Sequence, residues 1–336
     1  MGEGEPKTGS GEDRLIARFF RPLATDPGAF GLLDDAATLT PPPGSDVVLK
    51  ADAIVGGVHF FPDDPPDLIA KKALRVNLSD LAAKGASPAG FLLSLALPAS
   101  VGADWLEAFA RGLGEDARTY GCPLMGGDTD RTPGPVTISI AAFGLVPCGT
   151  MVRRSGARPG DRVVVTGTIG DGALGLLVRR DPATAERWRL DVRQRDHLIG
   201  RYLLPQPRNA AAQALRQHAS AAMDVSDGLA GDLGKLCAVS GVAVDIEVAR
   251  VPLSDAARVA VARDPSLIET ALTGGDDYEV VATVPAAAVD ALQAQAEAAG
   301  VALTDIGTIR ADRPRANFLD QAGKPLLFKR LSFSHF

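Results

Sequence analysis

The sequence predicts a two-domain protein of mixed α/β (α+β) class. Three observations carry that expectation. Short apolar or β-branched runs alternate with stretches of helical period in both halves. At 336 residues the chain is longer than one hydrophobic core usually fills. Between residues 147 and 160 the pattern breaks at Gly149, an Arg153-Arg154 pair and the turn Arg158-Pro159-Gly160-Asp161. That break sets the expected domains at 13–150 and 151–336, behind a flexible tail at 1–12.

Leu15, Ile16 and Phe19 at helical spacing predict a first amphipathic helix over 12–20. A Gly/Pro-rich stretch follows, and Val47-Val48-Leu49 reads as a short strand leading to Asp52. Leu68, Leu74, Leu78 and Leu81 predict a helix over 67–84, stopped by Ser87-Pro88. The apolar run 90–97 reads as a strand, 103–119 as a helix, 123–125 as a short buried strand and 136–146 as a longer one. In the second half a strand at 162–166 enters a turn with Gly167, Gly170 and Gly172, then a helix through Leu174, Leu176 and Leu177. Helices are expected at 196–203, 208–217, 228–239 and 286–298, alternating with strands at 242–246, 280–284 and 305–309.

Composition narrows the function. Hydrophobic content of 46% with 23% charged residues is ordinary for a soluble enzyme. A net charge of −6 and only 5% aromatics argue against a nucleic-acid partner, which needs basic surface and stacking platforms. No run approaches the roughly 18 apolar residues of a membrane span, and the polar start lacks the apolar centre of a signal peptide. Cys122, Cys148 and Cys237 are isolated, with no CxxC pair, which fits a cytoplasmic location.

Acidic residues recur at the ends of apolar runs: Leu33-Asp34-Asp35-Ala36, Lys50-Ala51-Asp52, Asn77-Leu78-Ser79-Asp80, Gly126-Gly127-Asp128, Asp224-Val225-Ser226-Asp227-Gly228 and Gly274-Gly275-Asp276-Asp277. Two like charges about 4 Å apart cost roughly 4 kcal/mol at an effective dielectric near 20. A fold that gathers these carboxylates therefore calls for a bound cation, and oxygen ligands favour a hard one such as Mg²⁺. There is no G-x-x-x-x-G-K-[ST] phosphate loop. The turn Gly167-Thr168-Ile169-Gly170-Asp171-Gly172 has two readings, a phosphate cradle and a plain tight connection. In the segment 224–228, Asp224 and Ser226 would share a face if the strand reaches that far, and Ser226 or Asp227 would cap the following helix. Asn77 and Asp80, three apart, would face one way on their helix.

Asn77-Leu78-Ser79-Asp80-Leu81-Ala82-Ala83-Lys84-Gly85-Ala86, Gly126-Gly127-Asp128-Thr129, Arg154-Ser155-Gly156-Ala157-Arg158-Pro159-Gly160-Asp161, Asp224-Val225-Ser226-Asp227-Gly228-Leu229 and Gly274-Gly275-Asp276-Asp277-Tyr278-Glu279 resemble the ordered motifs of the thiamine-monophosphate kinases, in the aminoimidazole ribonucleotide synthetase superfamily. The resemblance covers nearly the whole chain. It implies a two-domain aminoimidazole ribonucleotide synthetase-like fold whose N-terminal domain binds ATP and Mg²⁺ and pairs with its counterpart in a homodimer. It also implies transfer of the ATP γ-phosphate to thiamine monophosphate in the last step of thiamine diphosphate synthesis. Several Mg²⁺ ions would be held by Asp35, Asp52, Asp80, Asp128, Asp224 and Asp227. ATP would meet Gly127, Asp128, Arg154 and Ser226, and thiamine monophosphate would meet His59, Asp276 and Phe333.

The chain departs from the family pattern at three places. Leu33 stands where a glycine is usual before Asp34-Asp35, Lys50-Ala51 replaces two small hydroxyl residues before Asp52, and Asp276 replaces a Glu. The chemistry needs no general base, because the accepting phosphate is already largely ionised near pH 7. Direct in-line transfer by positioning and charge neutralisation follows. The competing readings are another ATP-using member of the superfamily, of the selenophosphate synthetase or amidine cyclase type, and a non-catalytic nucleotide- or metal-binding protein. The first lacks the Cys and Lys that selenophosphate synthesis would place in the N-terminal segment, and no EF-hand loop supports Ca²⁺ binding.

Overall fold

The computed structural model describes residues 10–333. The chain divides into two compact units, one containing the chain up to Leu78 and Pro88–Cys148, the other Ser79–Ser87 and the chain from Gly149 on. The expected contiguous division at 150/151 thus differs in one respect: nine residues around the end of the second helix belong with the C-terminal half. Most of the expected tail, 1–9, lies outside the described residues. Its remainder is structured, because Ser10 caps helix α1 (Gly11–Leu15) in a reciprocal capping box with Asp13. A π-helical turn at Ile16–Phe20 continues it and buries Phe19 and Phe20.

The first unit holds β1 (Ser45–Val55), the greater part of α2 (Pro66–Ala83) and β2 (Ser87–Leu97), α3 (Ala103–Thr119), β3 (Leu124–Arg131) and β4 (Thr137–Pro147). The strands form one sheet in the order β1-β4-β2-β3, with β1 and β4 antiparallel and β2 and β3 parallel. Leu106, Phe109, Ala110, Leu113 and Ala117 recur at helical spacing and are buried, which gives α3 its inward face. A bidentate pair between Arg75 of α2 and Asp116 of α3 (2.5 and 2.9 Å) ties the two helices. The other face of the sheet is apolar and open. Val47, Leu49, Ala51 and Ala53 alternate outward on β1, opposite Leu145, Phe143, Ala141 and Ser139 of β4, and Leu49 is 72% exposed.

The second unit contains β5 (Arg162–Thr166), α4 (Asp171–Arg180), α5 (Ala183–Arg187), α6 (Val192–Leu203), α7 (Ala212–His218), β6 (Ala221–Val225), α8 (Leu229–Ser240), β7 (Ala243–Glu247), α9 (Asp255–Arg263), α10 (Leu267–Thr273), β8 (Glu279–Val284), α11 (Val289–Ala298), β9 (Leu303–Arg310) and β10 (Arg315–Leu319). Its six strands run β10-β7-β9-β5-β8-β6, antiparallel except for the β10–β7 pair. The two-residue period divides the core. Val163, Val165, Met223, Val225 and Val281 face one cluster with α8, while Val164, Ala222, Val280 and Ala282 face another with α7 and α11. Both faces are covered, so β6 and β8 are buried along their whole length.

Candidate active site

In the first unit Asp52 lies within β1, on the face shared with Val48, Lys50 and Ile54. Its N–H donates to Asn77 Oδ1 (2.9 Å), and Asn77 Nδ2 donates to the Ala73 carbonyl (3.0 Å). Asn77 is therefore a fully buried tie between strand and helix. Lys50 Nζ sits 3.1 Å from Asp52 Oδ1, so the first residue of the departing pair supplies a cation at that carboxylate. The Leu33 departure is tolerated because Leu33 has φ −108°, which needs no glycine. The positive φ values fall on Phe30 and Leu32 instead.

The expected short strand at 123–125 is corrected: β3 continues to Arg131, so Gly126, Gly127 and Asp128 lie inside it. The ladder with β2 sets Gly127 opposite Leu93 and Asp128 opposite Ser94. A Cβ at Gly127 would fall 1.8 Å from the Leu93 carbonyl oxygen, so only glycine allows this approach. Asp34, Asp35, Gly127, Asp128 and Thr129 line a cavity of about 770 Å³, whose remaining wall includes Leu49, Leu92 and Phe143. Elsewhere in the unit, His59 accepts the Val55 N–H at Nδ1 (3.0 Å), and a neutral imidazole so held carries its proton on Nε2. The buried Lys72 ammonium donates to the His59 carbonyl (3.0 Å) and pins its loop.

In the second unit β6 ends at Val225, so Asp224 is in the strand, almost fully buried, and Ser226 lies beyond it. The capping expectation is overturned. Gly228 is the N-cap of α8 and no side chain caps it. Instead Asp232, in the first turn of α8, accepts the N–H groups of Ser226 (3.1 Å) and Asp227 (3.0 Å). This releases the Asp227 carboxylate from capping, and it meets the Lys235 ammonium, which also reaches Asp232 at 2.8 Å. Arg154 is exposed, and its carbonyl accepts from Ser240 Oγ.

The segment 274–278 packs against 225–227. Asp276 N donates to the Ser226 carbonyl (2.9 Å), Tyr278 N to Val225 (2.8 Å), and Phe333 N to Asp227 (3.0 Å). Two motifs about fifty residues apart in sequence, and the C-terminal segment, thus meet on three consecutive carbonyls. Asp276 and Tyr278 both have positive φ, 64° and 51°, a conformation non-glycine residues hold only when their surroundings enforce it.

The surroundings are built by residues to which the sequence reading assigns no such role. The Asp277 carboxylate accepts the N–H groups of Gly170 (2.8 Å) and Gly172 (3.1 Å). These amides belong to the glycine-rich turn, so its cradle is filled by an internal carboxylate and the phosphate-cradle reading fails. Burial pushes the Asp277 carboxyl well above its usual range, against the opposing pull of those two amides. Next to it Glu279, fully buried, takes Arg201 Nη2 at 2.8 Å, Arg208 Nε at 2.6 Å and Thr166 Oγ1 at 2.7 Å. Asp171 accepts from Thr168 (2.6 Å) and Ser254 (2.5 Å) and faces His197 Nε2 (2.9 Å). No local pattern links Arg201 and Arg208 to an acid 78 and 71 residues away. Only the clustering of acids at 276, 277 and 279 hinted that buried partners were needed.

The carboxylates of Asp34, Asp35 and Asp128 on the first unit's cavity are hard oxygen donors of the kind that suit a hard cation. Among the described residues no three acidic, His or Cys side chains converge tightly enough to hold a metal ion by themselves.

Comparison with known proteins identifies the class. Residues 33–146 match the AIR synthase related protein N-terminal domain, and residues 158–317 match the corresponding C-terminal domain. Both domains are thus those of an AIR synthase-related protein. The chain is 43% identical to the thiamine-monophosphate kinase of Caulobacter vibrioides over 87% of its length and 82% of that protein's. The crystal structure of thiamine-monophosphate kinase from Stenotrophomonas maltophilia superposes with a TM-score of 0.81 at 39% identity, covering 94% of this chain and 96% of that one. The structure of AaThiL complexed with AMPPCP and TMP aligns with a TM-score of 0.74 at 28% identity, over 98% of this chain and all of that one. The chain belongs to the thiamine-monophosphate kinase family.

Proposed function

We propose that the protein transfers the γ-phosphate of ATP to thiamine monophosphate, giving thiamine diphosphate and ADP. The observation that carries this reading is the likeness to thiamine-monophosphate kinases along almost the whole chain, including at 39% identity one of known structure. A relative that binds an ATP analogue together with TMP supports both substrates.

The residues divide the work as follows. Gly127, Asp128, Arg154 and Ser226 contact ATP, Gly127 through a backbone that no side chain screens and Arg154 through its guanidinium charge. His59 offers an Nε2–H donor on a loop pinned by Lys72. Asp276 sets a carboxylate opposite the cationic thiazolium, and Phe333 adds an aromatic face. Asp35, Asp52 and Asp128 in the first unit, and Asp80, Asp224 and Asp227 in the second, are the Mg²⁺ ligands. When bound, Mg²⁺ offsets the charge of the phosphates that must approach one another. Transfer is direct and in line, since the acceptor oxygen needs no proton removed.

The open apolar face of the four-stranded sheet, with Leu49 and Val47 at its edge, supports pairing of two first units in a homodimer. No described helix is long and apolar enough to cross a membrane. Cys122 and Cys237 are buried thiols, pushed up by burial to about 12 and about 11, and no described cysteine is paired. The free thiols support a reducing compartment such as the cytoplasm, and the net charge of −6 supports an enzyme without a nucleic-acid partner. The test is ATP consumption with thiamine, thiamine monophosphate and aminoimidazole precursors compared side by side. Turnover with thiamine monophosphate alone supports the reading, and turnover with a precursor instead overturns it.

A further inference from the structure

The segment after β10 folds back across the second unit as a strap. Its first part is seated by packing: Phe318 and Phe328 meet edge to face at 5.4 Å, and Leu326 N donates to the Phe318 carbonyl (2.7 Å). Its last part buries little. Leu327, Leu331 and Phe333 are 93%, 56% and 50% exposed, so hydrophobic burial does not fix its course. Two backbone N–H groups along it are anchored to the rest of the unit. Lys329 N donates to Glu269 Oε1 on α10 (2.6 Å), and Phe333 N donates to the Asp227 carbonyl (3.0 Å).

Between those bonds the strap crosses α8 at Gly231. A Cβ there would lie 2.3 Å from Ser332 Cβ and 3.0 Å from the Leu331 carbonyl oxygen. Glycine in the body of a helix is otherwise a poor choice, because it gives up backbone entropy and packs nothing. At Gly231 the missing side chain is the space the strap occupies. The carbonyls of Ser226 and Asp227 then hold the two residues assigned to the thiamine moiety, Asp276 and Phe333.

We infer that Gly231 and Glu269 are positioning residues that dock the C-terminal strap and so set Phe333 against the organic half of the substrate. This rests on the thiamine-monophosphate kinase reading. The strap bears on affinity for the phosphate acceptor more than on affinity for ATP.

Gly231→Ala tests it, because alanine is the better helix former and keeps α8 while displacing Ser332. The expected result is a KM for thiamine monophosphate raised about tenfold, the scale of one aromatic contact, with the KM for ATP within about twofold of wild type. Hydrogen exchange at the Phe333 amide rises in parallel. A chain stopped after Arg330 shows the same rise, and adding Gly231→Ala to it changes nothing further, since both act through one contact. Glu269→Ala gives a smaller rise of the same kind. An unchanged KM in Gly231→Ala, or a further rise when it is added to the shortened chain, overturns the inference. Absence of turnover with thiamine monophosphate in the wild type overturns the reading beneath it, and exchange at Phe333 still reports separately whether Gly231 docks the strap.

Discussion

Glu279→Gln measures how much of the second unit depends on one buried charge. Glu279 is inaccessible to solvent and accepts from Arg201 and Arg208, with Thr166 on the second oxygen. Gln keeps the shape and one acceptor but turns an NH₂ group toward a guanidinium and leaves two cations facing a neutral amide. Hydrogen bonds to charged groups contribute about 1.5–3 kcal/mol each, and breaking a buried pair costs about 3–5 kcal/mol because the remaining charge stays desolvated. The side chain of Arg201 is 7% exposed and that of Arg208 18%, so solvent relieves only part of this. The expected loss is about 3–5 kcal/mol, or a Tm lowered by about 6–20 °C for a unit of this size. Scanning calorimetry and urea titration measure it. A loss under about 1 kcal/mol would refute the reasoning, since it would mean the arginines find other partners at little cost. Asp276 lies three residues away on a backbone with φ 64°, so the KM for thiamine monophosphate should rise as well.

Three further outcomes follow from the same geometry. Lys50→Thr removes the ammonium from Asp52; the half-exposed pair contributes under about 1 kcal/mol to stability, but the Mg²⁺ concentration for half-maximal turnover should fall and Mn²⁺ binding with nucleotide should tighten in electron paramagnetic resonance. No change in either would separate Asp52 from the metal. The hydrogen bond to Asp171 raises the His197 pKa above 6.5, against burial and Arg201 and with help from Asp255. Although burial opposes it, bonds from His197, Ser254 and Thr168 lower the Asp171 pKa below 3.8. The His197 contribution is therefore complete below about pH 6.5 and lost as pH rises through its elevated value, while the Asp171 contribution is present above about pH 3.8 and lost on further acidification. His197→Ala should flatten the alkaline decline in urea-measured stability, and an identical decline would exclude the pair as its source. Leu49→Asp on the open sheet face should convert a dimer to a monomer in sedimentation velocity, and an unchanged sedimentation coefficient would exclude that face.

Much of this was legible in the residues themselves. The helix at Ala103–Thr119 and the strand at Arg162–Thr166 have the expected bounds, because their periods are clean and their ends are marked. The strand β3 is longer than its apolar residues predict, because its continuation is glycine and aspartate, and only pairing with β2 makes a strand of Gly126–Arg131. The helices α5, α9 and α10 and the strand β10 have no counterpart among the expected elements. In Asp255–Arg263 alanines blur the amphipathic stripe, and Arg315–Leu319 has too few residues to show a period. At the candidate site, the sequence shows where acids cluster and conceals what holds them. The Asp232 acceptor for Ser226 and Asp227, and the Asp277 carboxylate in the glycine-rich turn, are long-range or reversed uses of residues whose local patterns suggest caps and cradles.

The most direct test of the central claim is product analysis from purified protein with ATP, Mg²⁺ and thiamine monophosphate. The account predicts thiamine diphosphate and ADP in equal amounts, no ADP with thiamine or without acceptor, and no phosphorylated protein after ATP alone. ADP formed at the same rate without thiamine monophosphate, or label from the γ-phosphate retained on the protein, would contradict it.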